Sequence, residues 1–284
     1  MASVGFGLIT AAVLAISAVG FTLQFAVTNV LNLAFASIMT LAAFVAYWIN
    51  QAGMSIWIAL IASMAVGALV SVALNYAVYS PFQRRGSAPI TLVIVSLGMA
   101  LIIEFGVAAI DGGISVSYNM GQSRTLRFAG LILTTVQLII IAISVVVMVG
   151  VYGLLRYTKL GKAMRATAAN RMLARNCGIR AGQVISATWA LTGALCGLAG
   201  TVFAIDVGSF DPTSTDIFLV LILAAVFLGG PGHAYGAMLG ALIIGLATEV
   251  SAAYIAADYK YVVAFVILLA MLAVRPTGLL GAKT

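Results

Sequence analysis

The chain has 284 residues, of which 63% are hydrophobic and 7% charged, with a mean hydropathy of +1.18 and a formal net charge of +7. Soluble domains carry about 25% charged residues, so this composition excludes a large soluble domain and makes lipid the expected solvent. The positive balance does not point to nucleic acid, because the basic residues sit in short loops between apolar runs, the arrangement that orients a membrane protein.

Residues 1 to 83 carry no charged side chain, and Arg84 is the first. Residues 1 to 20 lack the basic start and cleavage pattern of a secretory leader, so none is expected. A spanning helix needs roughly 20 apolar residues. Runs of suitable length lie at 4–25, 33–50, 55–79, 90–110, 130–155, 184–205, 214–229, 234–252 and 260–275. The seventh is short and ends at Gly-Pro. The stretch 26–34, with Thr28, Asn29 and Asn32, reads as a break between the first two. These runs are too long and too uniformly apolar for barrel strands. The expected fold is an all-α polytopic helix bundle of about 8–9 spans with broken helices, forming one membrane domain over 1–284.

Orientation follows from the basic loops. The segment 156–183 holds seven of them, from Arg156 to Arg180, and no acid, which places it in the cytoplasm. Counting spans puts Arg84, Arg85, Arg275 and Lys283 on the same side, with Arg124, Arg127, Lys260 and Asp258 outside. The N-terminus is then outside and the C-terminus inside.

The loop 156–183 also carries helix punctuation. Asn170 is a good N-cap for Arg171 to Cys177, and Gly178 can take the left-handed conformation that ends a helix. Ile179 would then fold back against Leu173 or Ala174. Gly161 to Ala169 reads as a further helix. So short a helix is marginal alone in water and needs a surface. Either the loop lies near anionic lipid heads, or it docks a partner through the small apolar face of Met164, Ala168, Met172 and Leu173.

Polar groups within spans are costly and usually face protein or a water-filled cavity. Gln24, Asn29, Asn32, Glu104 and Glu249 stand out. Glu104 either bonds a neighbouring helix or faces a path, and Glu249 reads as interfacial. Gly229-Gly230-Pro231-Gly232 must interrupt a helix. Paired breaks in opposite halves often mark a translocation route, though a tight turn between spans would look the same. Gly193 with Gly197 and Gly236 with Gly240 allow close helix approach, within the subunit or to a second one. Cys177 and Cys196 lack partners and read as free thiols. With His233 the only histidine, neither a His-based metal site nor a Ser/His/Asp triad can assemble, and no cofactor is expected. Gly161-Lys162 is followed by Ala163, so the phosphate loop of ATPases is absent.

The run TKLGKAMRATAANRMLARNCGIRAG, residues 158–182, resembles the cytoplasmic loop of permeases in branched-chain amino-acid ABC importers, a family of hydrophobic amino-acid and amide uptake. The resemblance extends to Leu228-Gly229-Gly230 with Gly232, Gly236 and Gly240, to Arg275-Pro276-Thr277-Gly278-Leu279, and to Asn32 and Ala34 near the start. The chain departs from the family at Phe35 and Ala36, where His-Gly is usual, at Ala42, where Gly is common, and at Arg171 and Met172, where Pro-Glu is usual.

The resemblance implies a permease subunit in the bacterial inner membrane, not an enzyme. It would work with two cytoplasmic ATP-binding subunits, a second homologous permease and an external solute-binding protein. ATP binding would drive alternating access through a coupling helix. The coupling residues implied are Gly161, Arg165, Asn170, Leu173, Ala174, Gly178 and Ile179. The candidate solute path, read from the polar groups and breaks above and from the family segment around Asn32, runs by Gln24, Asn29, Asn32, Phe35, Glu104, Gly229 and Gly230, with the binding protein docking near 111–130 and 206–216. The solute would be a branched-chain or other hydrophobic amino acid. The alternatives are urea, short amides or another small solute of the family, or a stand-alone secondary transporter.

Overall fold

A computed structural model describes residues 2–120, 125–128, 131–254, 259–275 and 277–280. The expectations placed on Arg124, Asp258, Pro276 and Lys283 therefore lie outside the described residues. In chain order the helices are α1 (Ala2–Thr28), α2 (Ala34–Gln51), α3 (Ile56–Leu74), a π-helical turn (Asn75–Tyr79) running into α4 (Ser80–Arg84), and α5 (Pro89–Asp111). A two-stranded antiparallel hairpin follows, β1 (Thr125–Phe128) and β2 (Leu131–Thr134). Then come α6 (Thr135–Tyr157), α7 (Lys159–Ala169), α8 (Arg171–Asn176), α9 (Ala181–Val207), α10 (Ser214–Gly229), α11 (Ala234–Tyr254) and α12 (Lys260–Val274). Among the described residues seven helices are long and apolar enough to cross a membrane, with α10 and α12 shorter.

The all-α polytopic reading holds, with one local difference. The run 130–155 begins as strand β2 and turns helical only at Thr135. Thr134 accepts from the Gln137 amide while Gln137 reaches back to the Thr134 amide, so a capping box sets where the helix starts.

Charge-free and rich in small residues, α1 lies at the centre of the bundle, mostly buried against α11, α9, α6 and α10. In contrast α3, α5 and α6 expose apolar faces, which is what a lipid-contacting perimeter requires. In a membrane, helices gain nothing by hiding apolar surface from lipid, so close packing must come from small residues. A Cβ on Gly193 would lie 2.4 Å from the Gly67 carbonyl, and one on Gly197 would lie 2.2 Å from the Ser63 carbonyl. The first Gly-x-x-x-Gly pair thus serves the α3–α9 crossing within this subunit. The second, Gly236 and Gly240, lies against Gly229 and Ala225 in the α10–α11 hairpin.

Candidate translocation and coupling site

The first break is narrower than 26–34. α1 ends at Thr28, and Asn29 takes φ +53, a left-handed conformation that Asn tolerates better than most residues. The backbone groups freed here find partners, as depth in a membrane demands. Gln83 donates to the Thr28 carbonyl at 3.3 Å, and the Leu33 amide donates to Ser96 Oγ at 3.1 Å. The Tyr79 hydroxyl donates to Asn32 Oδ1 at 2.7 Å, and its ring stacks on Trp189 with centroids 4.9 Å apart.

Not every group is satisfied. Gln24 Nε2, Asn32 Nδ2 and Trp189 Nε1 are buried donors with no protein acceptor. Buried polar groups normally find partners, so three unpaired donors on the elements flanking one break are unusual.

The second break is a tight turn between two helices. Gly230 and Gly232 carry φ of +106 and +89, and α11 resumes at Ala234. Its exposed carbonyls are capped by the C-terminal segment: the Leu279 amide donates to the Leu228 carbonyl at 2.8 Å, and Leu280 donates to Gly229 at 3.2 Å. Gly278 sits so close to Gly230 that a Cβ would fall 2.3 Å from its Cα. The terminal Thr-Gly-Leu therefore closes α10.

The two breaks meet. A cleft of about 640 Å³ is bounded by Phe25, Ala26 and Asn29 on one side and by Pro231, Gly232 and His233 on the other. Its third wall is α7, through Met164, Arg165 and Ala168.

That wall is fixed firmly to the bundle. Thr158 Oγ1 accepts from the Gly161 amide at 3.0 Å and donates to the Leu154 carbonyl at 2.6 Å. A Cβ on Gly161 would lie 2.2 Å from that same carbonyl, so only glycine lets α7 fold back on α6. Met164 is buried, with α7 packed on α6, α9 and α1.

α8 hangs beyond it. Asn170 Oδ1 accepts from the Met172 and Leu173 amides at 3.0 and 2.9 Å. At the other end the Gly178 amide donates to Arg175 O and the Ile179 amide to Ala174 O, each at 3.0 Å, with Gly178 at φ +83. Those bonds form a Schellman cap, with Ile179 folded back on Ala174. The expected apolar face is divided between the two helices. Met164 points inward, whereas Met172 and Leu173 are 76% and 60% exposed.

The expected path residues separate in the same way. Asn29 lines the cleft. Gln24, Asn32 and Phe35 lie in packed core: Phe35 sits edge-on to Phe21 with centroids 5.6 Å apart, and its carbonyl accepts from the Cys196 thiol at 3.1 Å. Gly229 and Gly230 make backbone contacts. Glu104 lies near the opposite end of the bundle, lining a smaller cleft of about 230 Å³ with Asp211 and Thr213. Asp211 is held below the usual carboxylate range by the Thr213 hydroxyl. Glu249 accepts from Thr10 at 2.9 Å and pairs with Lys260, the only ion pair among the described residues. On this face Val116 and Phe210 exchange both backbone hydrogen bonds, at 2.8 and 2.9 Å, joining the two segments read as a docking surface. Nothing in the sequence marks Tyr79 and Trp189, since aromatic residues within apolar runs carry no sign of their partners.

Comparison with known proteins bears on this arrangement. The family described as "Branched-chain amino acid transport system / permease component" matches residues 3–272. The high-affinity branched-chain amino acid transport system permease protein LivH of Escherichia coli (strain K12) is 28% identical, over 94% of this chain and 91% of that one. The ribose import permease protein RbsC of the same organism is 27% identical, over 91% and 81%. Among solved structures, PsaBC from Streptococcus pneumoniae in complex with Fab shares the fold at a TM-score of 0.54 and 16% identity, covering 98% of this chain and 93% of that one.

Proposed function

The chain belongs to the branched-chain amino acid transport system permease family, and on that premise we propose that it carries branched-chain or other hydrophobic amino acids inward across the bacterial inner membrane, driven by separate ATP-binding subunits. It is a multi-pass membrane permease of the ABC-importer type. The observation that carries the coupling role is α8 itself. A helix of six residues, capped at both ends, presents Met172 and Leu173 away from the bundle. Capping without burial makes sense when the covering surface belongs to another chain.

In this reading an ATPase subunit grips α8 through Met172 and Leu173, while Ala174 is buried on the inner side of the helix. Asn170 is at once the C-cap of α7 and the N-cap of α8, so a push on α8 reaches α7 without slack. Arg165 and Met164 carry it to the cleft where the two breaks meet. The break at 29–33 is the element expected to move, since Gln24, Asn32 and Trp189 have hydrogen bonds to gain in another arrangement. A second permease subunit completes the pathway, and an external binding protein delivers solute to the face joined by Val116 and Phe210. The N-terminus then lies outside and the C-terminus inside.

The decisive experiment reconstitutes the chain with its ATPase subunits, companion permease and binding protein in liposomes. Leucine, isoleucine or valine uptake should require ATP and the binding protein. Uptake of ribose or urea in preference to all three would transfer the substrate assignment, and uptake by this chain alone without ATP would overturn the coupling role.

A further inference from the structure

A second cleft, of about 440 Å³, opens where α4, α8 and the start of α9 converge. Arg84, Arg171 and Arg175 line it together with Asn75, Gln83 and Ser186. None of the three arginines pairs with a carboxylate among the described residues, and no acid lines the cleft. Three guanidinium groups around one small space repel one another, and burial with the nearby Arg175 charge pushes the Arg171 pKa down. An anion placed among them would relieve both effects, and the arginine fork suits phosphate oxygens better than a lysine would.

The surroundings point to a lipid. Below the arginines, Leu69, Ala73 and Tyr76 form an exposed stripe at helical spacing on the continuous helix that leads up to Arg84. The Tyr76 hydroxyl bonds Ser186 Oγ at 2.7 Å, pinning the ring at the mouth of the cleft. A charged head among the arginines would continue directly into acyl chains on this stripe. An acidic side chain from the ATPase would leave the stripe unused, and Met172 and Leu173, the exposed apolar residues of α8, do not line this cleft.

We propose that this cleft is a binding site for the phosphate head of an anionic phospholipid, which bridges α4, α8 and α9. It rests on the cytoplasmic placement of α8, which labelling of Cys177 tests separately. The bound lipid ties the coupling helix to the bundle, so transport should depend on anionic lipid as well as on ATP.

The test is lipid retention by the full chain with its partner subunits, measured by native mass spectrometry after exchange into equal phosphatidylglycerol and phosphatidylcholine. Phosphatidylglycerol should be retained preferentially. Arg171→Gln should lower its retention about fivefold, and the triple change R84Q/R171Q/R175Q on the order of a hundredfold, since each arginine near a membrane surface contributes about that factor. The ATPase subunits should stay bound throughout. Arg171→Lys should retain the lipid partly, and it keeps the question open to measurement if the triple variant fails to fold. Equal retention of both lipids, or unchanged retention in Arg171→Gln, overturns the site. Displacement of the lipid by excess inorganic phosphate identifies free phosphate as the ligand instead. Loss of the ATPase subunits with lipid unchanged assigns the arginines to the partner.

Discussion

Replacing Gly178 by valine isolates the coupling helix from every other feature. Nothing lies within 4 Å of a Cβ added at Gly178, so the substitution perturbs backbone conformation and not packing. The position sits at φ +83, where an L-residue costs roughly 1–2 kcal/mol and a β-branched one falls at the upper end. The residue has two ways out: hold the strain, or release the Gly178 and Ile179 amide bonds that cap α8. A six-residue helix without its cap is not stable alone, so release is the cheaper course. A penalty of that size shifts the capped-to-frayed balance about 5–30-fold. In reconstituted importer, the ATP hydrolysed per solute taken up should rise several-fold while assembly is kept. Gly178→Asn should stay near the parent value, because asparagine tolerates the left-handed region. A valine variant with unchanged coupling, or an asparagine variant as impaired as valine, would mean that the cap of α8 does not transmit the ATPase stroke.

Other expectations follow from the packing and from accessibility. Gly197→Ala forces a methyl within 2.2 Å of the Ser63 carbonyl, and overpacking of this kind costs about 1–3 kcal/mol. Thermal unfolding in detergent should occur at a clearly lower temperature, whereas Gly153→Ala, with open space around it, should leave it unchanged. Tyr79→Phe removes the donor to buried Asn32 and should destabilise the break by about 1–3 kcal/mol. Limited proteolysis near residues 29–33 would report it. Cys177 is exposed and Cys196 buried, so a membrane-impermeant maleimide should label Cys177 in inside-out vesicles and not in right-side-out ones. The reverse pattern would invert the orientation.

Span positions were readable because apolar length is a direct consequence of bilayer thickness, and the structure follows those runs closely. The caps of α8 were readable because Asn170 and Gly178 act through bonds only two to five residues long. The strand pair 125–128 and 131–134 was not, since its second strand is as apolar as the helix after it. Nor was the inward turn of Met164, which depends on how α7 lies against α1 and α9. The same limit governs the path residues. Asn32 and Phe35 looked like walls of a route, yet their surroundings are set by Tyr79, Trp189 and Cys196, partners far along the chain. Burial of that kind comes from helix packing, and one sequence does not encode it locally. The Gly-x-x-x-Gly spacing suggested dense packing, within the subunit or against a second one, while the fold reveals that both pairs serve this subunit's own crossings.

A photo-crosslinking residue in place of Leu173 tests with the fewest assumptions whether α8 docks an ATP-binding subunit. In intact membranes carrying the whole importer, irradiation should join position 173 to an ATP-binding subunit, and the yield should change when ATP is added. A crosslink to the external binding protein, or to lipid alone, would contradict it.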